Sequence, residues 1–209
     1  MDNLERSLAD IRMAPYIVKA MALIGFSRLA GGNMFRHQIA TMGILIDYKI
    51  IDPVLLKAAL IHDLFEDASG LPGVTKKEIT GIDADGPAVY DLVMEVTRRT
   101  DADTGDKEEK SEFLLRIMKT GSSKAKLLKL ADRISNITAL GYVHKQPFVR
   151  SYIEETRSFV LPYAEQVNAD MYRELSDLLD SRERLLPAVN MTAQTTLESD
   201  LKCAPPIEA

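Results

Sequence analysis

Apolar residues recur at helical spacing along nearly the whole chain, and few stretches alternate with a period of two. Residues at about 14–29 read as a helix, with Tyr16, Ile17, Ala20, Met21, Ile24 and Phe26 among its apolar positions. Ala30-Gly31-Gly32-Asn33 breaks it. Met34 to Leu45 resumes the pattern. Asp52 is a good N-cap and Pro53 suits a first helical position, which starts the next helix at Pro53. Its run Val54-Leu55-Leu56-Lys57-Ala58-Ala59-Leu60-Ile61 is too apolar for a surface helix and too short to span a membrane. The reading is a buried helix over about 53–67 that ends in polar residues. Further on, Thr75-Lys76-Lys77-Glu78 fits a capping box, and Pro87 to Val96 is amphipathic. Thr97 to Lys107 is polar, contains Gly105, and reads as a mobile loop, either a cover over a site or a plain connector. Glu108 to Lys119, Ser123 to Leu140, Phe148 to Leu161 and Ala164 to Leu186 complete the helices. After Pro187 the chain turns polar, so 187–209 reads as a disordered tail. The pattern predicts an all-α fold of eight to ten helices in one domain, 1–186.

Composition narrows the class of function. A formal charge of -5 argues against non-specific affinity for nucleic acid or an anionic membrane, though a local basic pocket stays compatible with it. The one cysteine, Cys203, rules out an intrachain disulfide framework and a CxxC zinc pattern. Met1 to Arg6 carries acidic residues and no apolar run, so a signal peptide is not expected. A cytoplasmic protein is the default expectation.

The chemistry concentrates in Ile61-His62-Asp63-Leu64-Phe65-Glu66-Asp67. On one continuous helix at ~100° per residue, His62, Glu66, Asp63 and Asp67 would leave within an arc of ~140°. Three acids at a helix C-terminus oppose the macrodipole and repel one another. A cation would remove the conflict, and His62 beside Asp63 offers a nitrogen and an oxygen to hold one. The bland alternative is a solvated acidic helix end before the turn Ala68-Ser69-Gly70. A metal needs remote partners. The chain has three histidines, and His37 lies on the helix just before the 53–67 helix. It is either a ligand or an ordinary core or surface histidine. His144 reads as a loop histidine with no catalytic part. Asp132 sits on an apolar face among Leu128, Ala131 and Ile134, where an unpartnered aspartate would be costly. Lys129, Asp132 and Asn136 are spaced i, i+3, i+7 and share a face, either functional or simply solvated. Arg133 reads as a phosphate contact or a surface ion pair.

The combination His37…His62-Asp63…Asp132 resembles the HD-domain metal-dependent phosphohydrolases. More narrowly it is similar to the hydrolase domain of the RelA/SpoT alarmone enzymes, and most of all to the small stand-alone alarmone hydrolases. Lys57 to Asp67 resembles the family's "AALLHDVLEDT", Glu95-Val96-Thr97-Arg98 its "GVTK", and Leu128 to Asn136 its "VKLADRLHN". The likeness runs over about 15–180. The resemblance implies that His37, His62, Asp63 and Asp132 hold one divalent metal, manganese in this family. It implies that Glu66 and Asp67 are the catalytic acidic pair, aiming and activating water. Asn136 would contact the substrate beside the nucleoside. Lys129 lies in the motif as a substrate contact or a structural residue, and Arg28 is a further upstream base.

The implied reaction removes pyrophosphate from the 3′ position of (p)ppGpp. That substrate is a small nucleotide, with no nucleic acid or membrane partner, and a homo-oligomer is compatible with it. The chemistry fits the residues: a divalent ion neutralises charge on phosphoryl oxygens, and a carboxylate can take a proton from water. There are departures. The usual "PYxxH" approach is Gly32-Asn33-Met34-Phe35-Arg36-His37 here, Thr138 replaces an arginine, and Glu95 replaces a glycine. The metal set is intact while the substrate shell is altered. Alternatives are a phosphatase on another nucleotide, such as NADPH or a dNTP, and a non-catalytic nucleotide-binding module.

Overall fold

The computed structural model describes residues 3–29, 31–141 and 145–186. The expectations for His144 and for a disordered 187–209 tail fall outside these residues. Every regular element among them is helical, so the all-α class holds. In order they are α1 (Asn3–Ala9), α2 (Ala14–Ala20) with a 3-10 turn at Met21–Leu23, α3 (Met34–Asp47), α4 (Pro53–Ile61), α5 (Leu64–Asp67), α6 (Lys76–Thr80) and α7 (Gly86–Val96). Then come α8 (Lys110–Leu115), running into a π turn at Arg116–Thr120, α9 (Ser123–Leu140), α10 (Gln146–Phe159), α11 (Leu161–Val167) and α12 (Ala169–Arg184). No helix among the described residues is long and apolar enough to cross a membrane.

The centre is α4, as its apolar run requires. Leu55 through Ile61 are all buried, including Lys57, whose ammonium pairs with Asp83 at 2.9 Å and Asp85 at 2.6 Å. Helices α2, α3, α7 and α9 surround it. Helix α9 lies along α3 and α12 and buries Leu128, Leu130, Ala131, Ile134 and Ile137. Hydrophobic burial on these facing stripes thus brings α3, α9 and the C-terminal end of α4 together.

Asp52 starts α4 as expected: its Oδ1 accepts from the Leu55 amide at 2.9 Å, and its Oδ2 pairs with Lys124 of α9 at 2.7 Å. Replacing Asp52 by alanine should cost about 1 kcal/mol of stability. The urea midpoint should fall with an unchanged slope.

Several expected helices are interrupted, so the segments outnumber the eight to ten foreseen. The helix read over 14–29 ends at Ala20, passes through the 3-10 turn, and gives way to a loop. That loop closes on itself: Ser27 bridges to Asn33, the Arg28 amide donates to Gly32 O, and Met34 to Phe26 O. Gly31 and Gly32 make the reversal at φ 85° and 73°, a region open to glycine at little cost. The apolar spacing of Ile24 and Phe26 was therefore misleading. The 53–67 helix is likewise two pieces. It stops at Ile61, His62 and Asp63 form the junction, and Leu64 turns back into the core to start α5. Near the C-terminal end, Asn168 caps α12 by accepting from Asp170 and Met171, which separates α12 from α11.

Candidate metal centre and active-site cleft

His62 is the first residue beyond α4. Its Nδ1 lies 2.9 Å from Ala59 O. A carbonyl only accepts, so Nδ1 carries the hydrogen and Nε2 faces outward. It meets His37 of α3, whose Nε2 is 3.2 Å away. Asp63 Oδ2 lies 3.2 Å from the His62 Nε2 and 3.5 Å from that of His37. Asp132 of α9 brings Oδ1 to 3.1 Å from His37 Nε2 and 3.8 Å from His62 Nε2. Ligand atoms ~2.0–2.2 Å from one ion are separated by ~2.8–3.6 Å at octahedral or tetrahedral angles. Four of the five separations fall in that range and the fifth lies just outside it. His37, His62 and Asp63 alone place ligand atoms within 4.8 Å of one another and could hold a metal.

The electrostatics point the same way. Burial alone would lower the pKa of His62, but the Asp63 and Asp132 carboxylates reverse this and hold it up to about 10. Burial holds His37 below its ordinary value. Despite burial, Asp63 and Asp132 are held well below the usual carboxylate range, Asp63 chiefly by His62 and Asp132 chiefly by Lys129. The centre therefore demands positive charge between its two acids. A proton on His62 supplies one unit, and a divalent ion would supply two at the same place.

Each prospective ligand is braced. Gln38 Nε2 donates to Asp63 Oδ2 at 2.9 Å, and Ser135 Oγ lies 2.9 Å from His37 Nδ1. Lys129 Nζ sits 2.9 Å from Asp132 Oδ2, the partner that a buried aspartate needs. Asn136 Nδ2 donates to Asp132 Oδ1 at 2.5 Å, while its Oδ1 accepts from Arg28. The loop that replaces the end of the first expected helix thus carries Arg28 to the face of α9 that bears Asp132 and Asn136.

The interruption at 62–63 also revises where the acids stand. Glu66 and Asp67 are not at the end of α4. They form the first turn of α5, with both amides donating to Asp63 O at 3.1 and 3.0 Å. A single turn carries little macrodipole, so the expected conflict with the dipole of α4 does not arise for these two, while their mutual repulsion persists. They line a cleft of about 210 Å³ together with Asp63, Asp132, Lys129, Arg28 and Asn136. Arg98, Lys110 and Arg133 add positive charge to its wall, and Tyr152 and Phe113 add aromatic faces. Asp67, exposed at the rim, is pushed up to about 6 by partial desolvation and by the charges of Asp63 and Glu66. The 97–107 loop overhangs this end, with Lys107 Nζ 3.6 Å from Glu66 Oε1. Arg116 pins its base by donating to Glu95 O and Thr97 O and pairing with Glu108 at 2.8 Å.

A second cavity, of about 700 Å³, adjoins the first and shares Arg28 and His37 with it. Its walls include Ala40, Ile44, Ile134 and Ala139, with Thr138 and Glu174 as polar groups. Of the departures from the family motifs, Glu95 holds the start of α9 in place. It accepts from the Ser122 amide at 2.6 Å and from the Ser122 hydroxyl at 2.8 Å. Arg133 is buried, and its ion pair, with Glu155 at 3.5 Å, is not on the surface. It lies over the Tyr152 ring at 4.5 Å and donates to Thr156 at 3.2 Å.

Sequence reasoning passed over Gln38, Ser135, Arg98, Lys110 and Tyr152. A glutamine beside a prospective ligand on a largely apolar helix was a usable signal. For Lys110, inside a run of mixed charge, there was none.

Comparison with known proteins shows the family. The model of the HD domain matches residues 14–160, which include all four converging residues. The chain belongs to the HD-domain family. It is 31% identical over 166 residues to the GTP pyrophosphokinase rsh of Brucella ovis, covering 77% of this chain and 21% of that one. It thus spans about a fifth of the length of the Brucella relatives. It is 34% identical over 105 residues to guanosine-3′,5′-bis(diphosphate) 3′-pyrophosphohydrolase MESH1 of Drosophila melanogaster, covering 50% of this chain and 54% of that one. A solved structure described as a metazoan ortholog of SpoT that hydrolyzes ppGpp superposes with a TM-score of 0.68 at 25% identity, covering 81% of this chain and 94% of that one.

Proposed function

We propose that this chain is a metal-dependent hydrolase that removes pyrophosphate from the 3′ position of (p)ppGpp. One divalent ion, manganese, would be held by His37, His62, Asp63 and Asp132. The observation that carries the reading is the meeting of these four side chains, from three separate helical regions, beside Glu66 and Asp67 in a cleft whose wall also carries arginine and lysine. The names of the relatives support the choice of substrate.

Bound there, a divalent ion would offset charge on the phosphoryl oxygens and lower the pKa of a nearby water. The chain's own residues do the rest. Glu66 and Asp67 hold and aim the attacking water on a rigid turn. A carboxylate near pKa 6 is ionised at neutral pH yet basic enough to accept the water's proton, which suits Asp67. Arg98 and Lys110 offer positive charge to the pyrophosphate, Lys110 from beside Glu155 at 2.9 Å, while Arg133 is buried and supports the cleft from within. Arg28, which Asn136 accepts from, stands where the cleft meets the larger cavity, which has room for a nucleoside. Water attacks the phosphorus bonded to the ribose 3′ oxygen. That P–O bond breaks, and the 3′ oxygen takes a proton from solvent and leaves as a hydroxyl, while Asp67 returns the water's proton to solvent.

The test is direct. Purified protein with Mn²⁺ should release pyrophosphate from ppGpp and leave NADPH and dNTPs nearly untouched. Release of orthophosphate from other nucleotides, and of pyrophosphate from none, would remove the alarmone reading and keep the reaction class.

A further inference from the structure

We infer that Glu174 is a specificity-determining residue, a carboxylate that reads the base of the nucleotide and selects guanine. This rests on the nucleotide site proposed above and names the part of it that faces the base.

The larger cavity has a polarity of its own. Its charged side chains are Arg28, Arg36 and Glu174, and Glu174 of α12 is the one acid among them. Arg28 and His37 also belong to the cleft, so the cavity opens at these two residues toward the proposed ion and the phosphates. A carboxylate repels phosphate and attracts N–H donors. The nucleotide therefore lies with its phosphates toward Arg28, which leaves its base for Glu174. Ile44, Ile134 and Ala139 supply apolar surface for the flat faces of a purine.

The carboxylate is held for such a task. Tyr48, the residue after α3, donates its hydroxyl to Glu174 Oε2 at 2.5 Å. Burial, and then that bond, push the tyrosine pKa up, so the hydroxyl stays a donor at neutral pH. Among the described residues Glu174 has no cationic partner. Thr138, where the family motif usually has arginine, turns its hydroxyl back to Ile134 O at 2.8 Å and offers no charge. Arg182 fixes α12 against the end of α9, with Nε donating to Ile137 O at 3.0 Å and Nη2 to Thr138 O at 2.9 Å. A carboxylate has about four lone-pair sites, so one tyrosine hydroxyl leaves both oxygens able to accept again. Guanine presents two neighbouring donors, N1–H and the 2-amino group, which match the two oxygens. Adenine presents an acceptor at N1, and hypoxanthine keeps N1–H but lacks the amino group. Glu174 lies beyond residues 14–160, the span matched by the HD domain, so the motifs of that domain do not announce it.

Nucleoside diphosphates test the inference without turnover, because they carry no 3′ pyrophosphate. In titration calorimetry the Mn²⁺-loaded protein should bind GDP ~10–100-fold more tightly than ADP, the range for hydrogen bonds to a charged group. IDP should fall between the two. Glu174→Gln keeps the side-chain length but turns one acceptor into a donor, which suits N1 and the 6-amino group of adenine instead. GDP affinity should fall and ADP affinity rise, bringing their ratio to about one or below. A merely structural role would weaken both ligands alike. The inference is overturned if wild type binds GDP no more tightly than ADP or IDP, if it binds none of them, or if Glu174→Gln keeps the wild-type ratio. The wild-type comparison decides the matter even if Glu174→Gln fails to fold. Selective binding of GDP by a protein that releases no pyrophosphate from ppGpp would keep the inference and remove the reaction proposed above. Equal binding with pyrophosphate release would do the reverse.

Discussion

Replacing His62 by alanine is expected to lower nucleotide hydrolysis by at least ~10³-fold, because an ion worth several kcal/mol of transition-state stabilisation loses a ligand. Metal content of the purified variant should fall below stoichiometric. The core should survive, since the imidazole lies past the last turn of α4 and contributes little apolar packing. The same centre fixes a pH dependence. Asp63 and Asp132 hold His62 up to about 10, so at neutral pH an ion that takes its Nε2 lone pair must displace a proton. Mn²⁺ affinity should therefore rise with pH through the neutral range and level off as the pKa of His62 is approached. Titration calorimetry in buffers of different ionisation enthalpy should show proton release on binding. Affinity that stays flat across the neutral range would mean that the ion sits elsewhere.

The Glu66→Gln, Asp67→Asn double variant should bind Mn²⁺ normally and lose ~10²–10⁴ in kcat, the range for removal of general-base assistance. The single variant Asp67→Asn separates the two acids. Asp67 is pushed up to about 6, and only its ionised form can take a proton. Wild-type kcat/KM should fall as the pH drops through 6 and below. A bound cation pulls the midpoint toward the lower end. That acid limb should be missing from the profile of Asp67→Asn. Full turnover by the double variant would show that the proton goes to another group.

Much of this was legible before any coordinates, for identifiable reasons. The all-α class followed from periodicity that persists over most of the chain. The start of α4 followed from Asp52 and Pro53, and the span of α9 was read to the residue. The set His37, His62, Asp63 and Asp132 was implied by the resemblance to the HD-domain phosphohydrolases, with an acid on an apolar face and scarce histidines as lesser cues. What stayed hidden was set by tertiary demand. Periodicity carried a helix straight through His62 and Asp63, whereas packing of Leu64 into the core breaks the chain there and turns Asp63 toward the imidazoles. The same spacing carried a helix over Ile24 and Phe26, where loop hydrogen bonds prevail. The basic wall was illegible because Arg98 and Lys110 stand in polar sequence with no period to betray a shared direction. Lys129 was left between two roles. The structure turns its ammonium to Asp132 while leaving it at the edge of the cleft.

The two halves of the cleft are built on ground of different firmness. His37, His62 and Asp132 are buried on or beside helices that also make the core, so their positions are fixed by its packing. Arg28 and Arg98 project from connecting segments, and Lys110 from the very start of α8. In descendants of one ancestor, loops can be rewritten while the core is kept. Such a division lets a lineage retool its appetite for one nucleotide or another without rebuilding its inorganic chemistry.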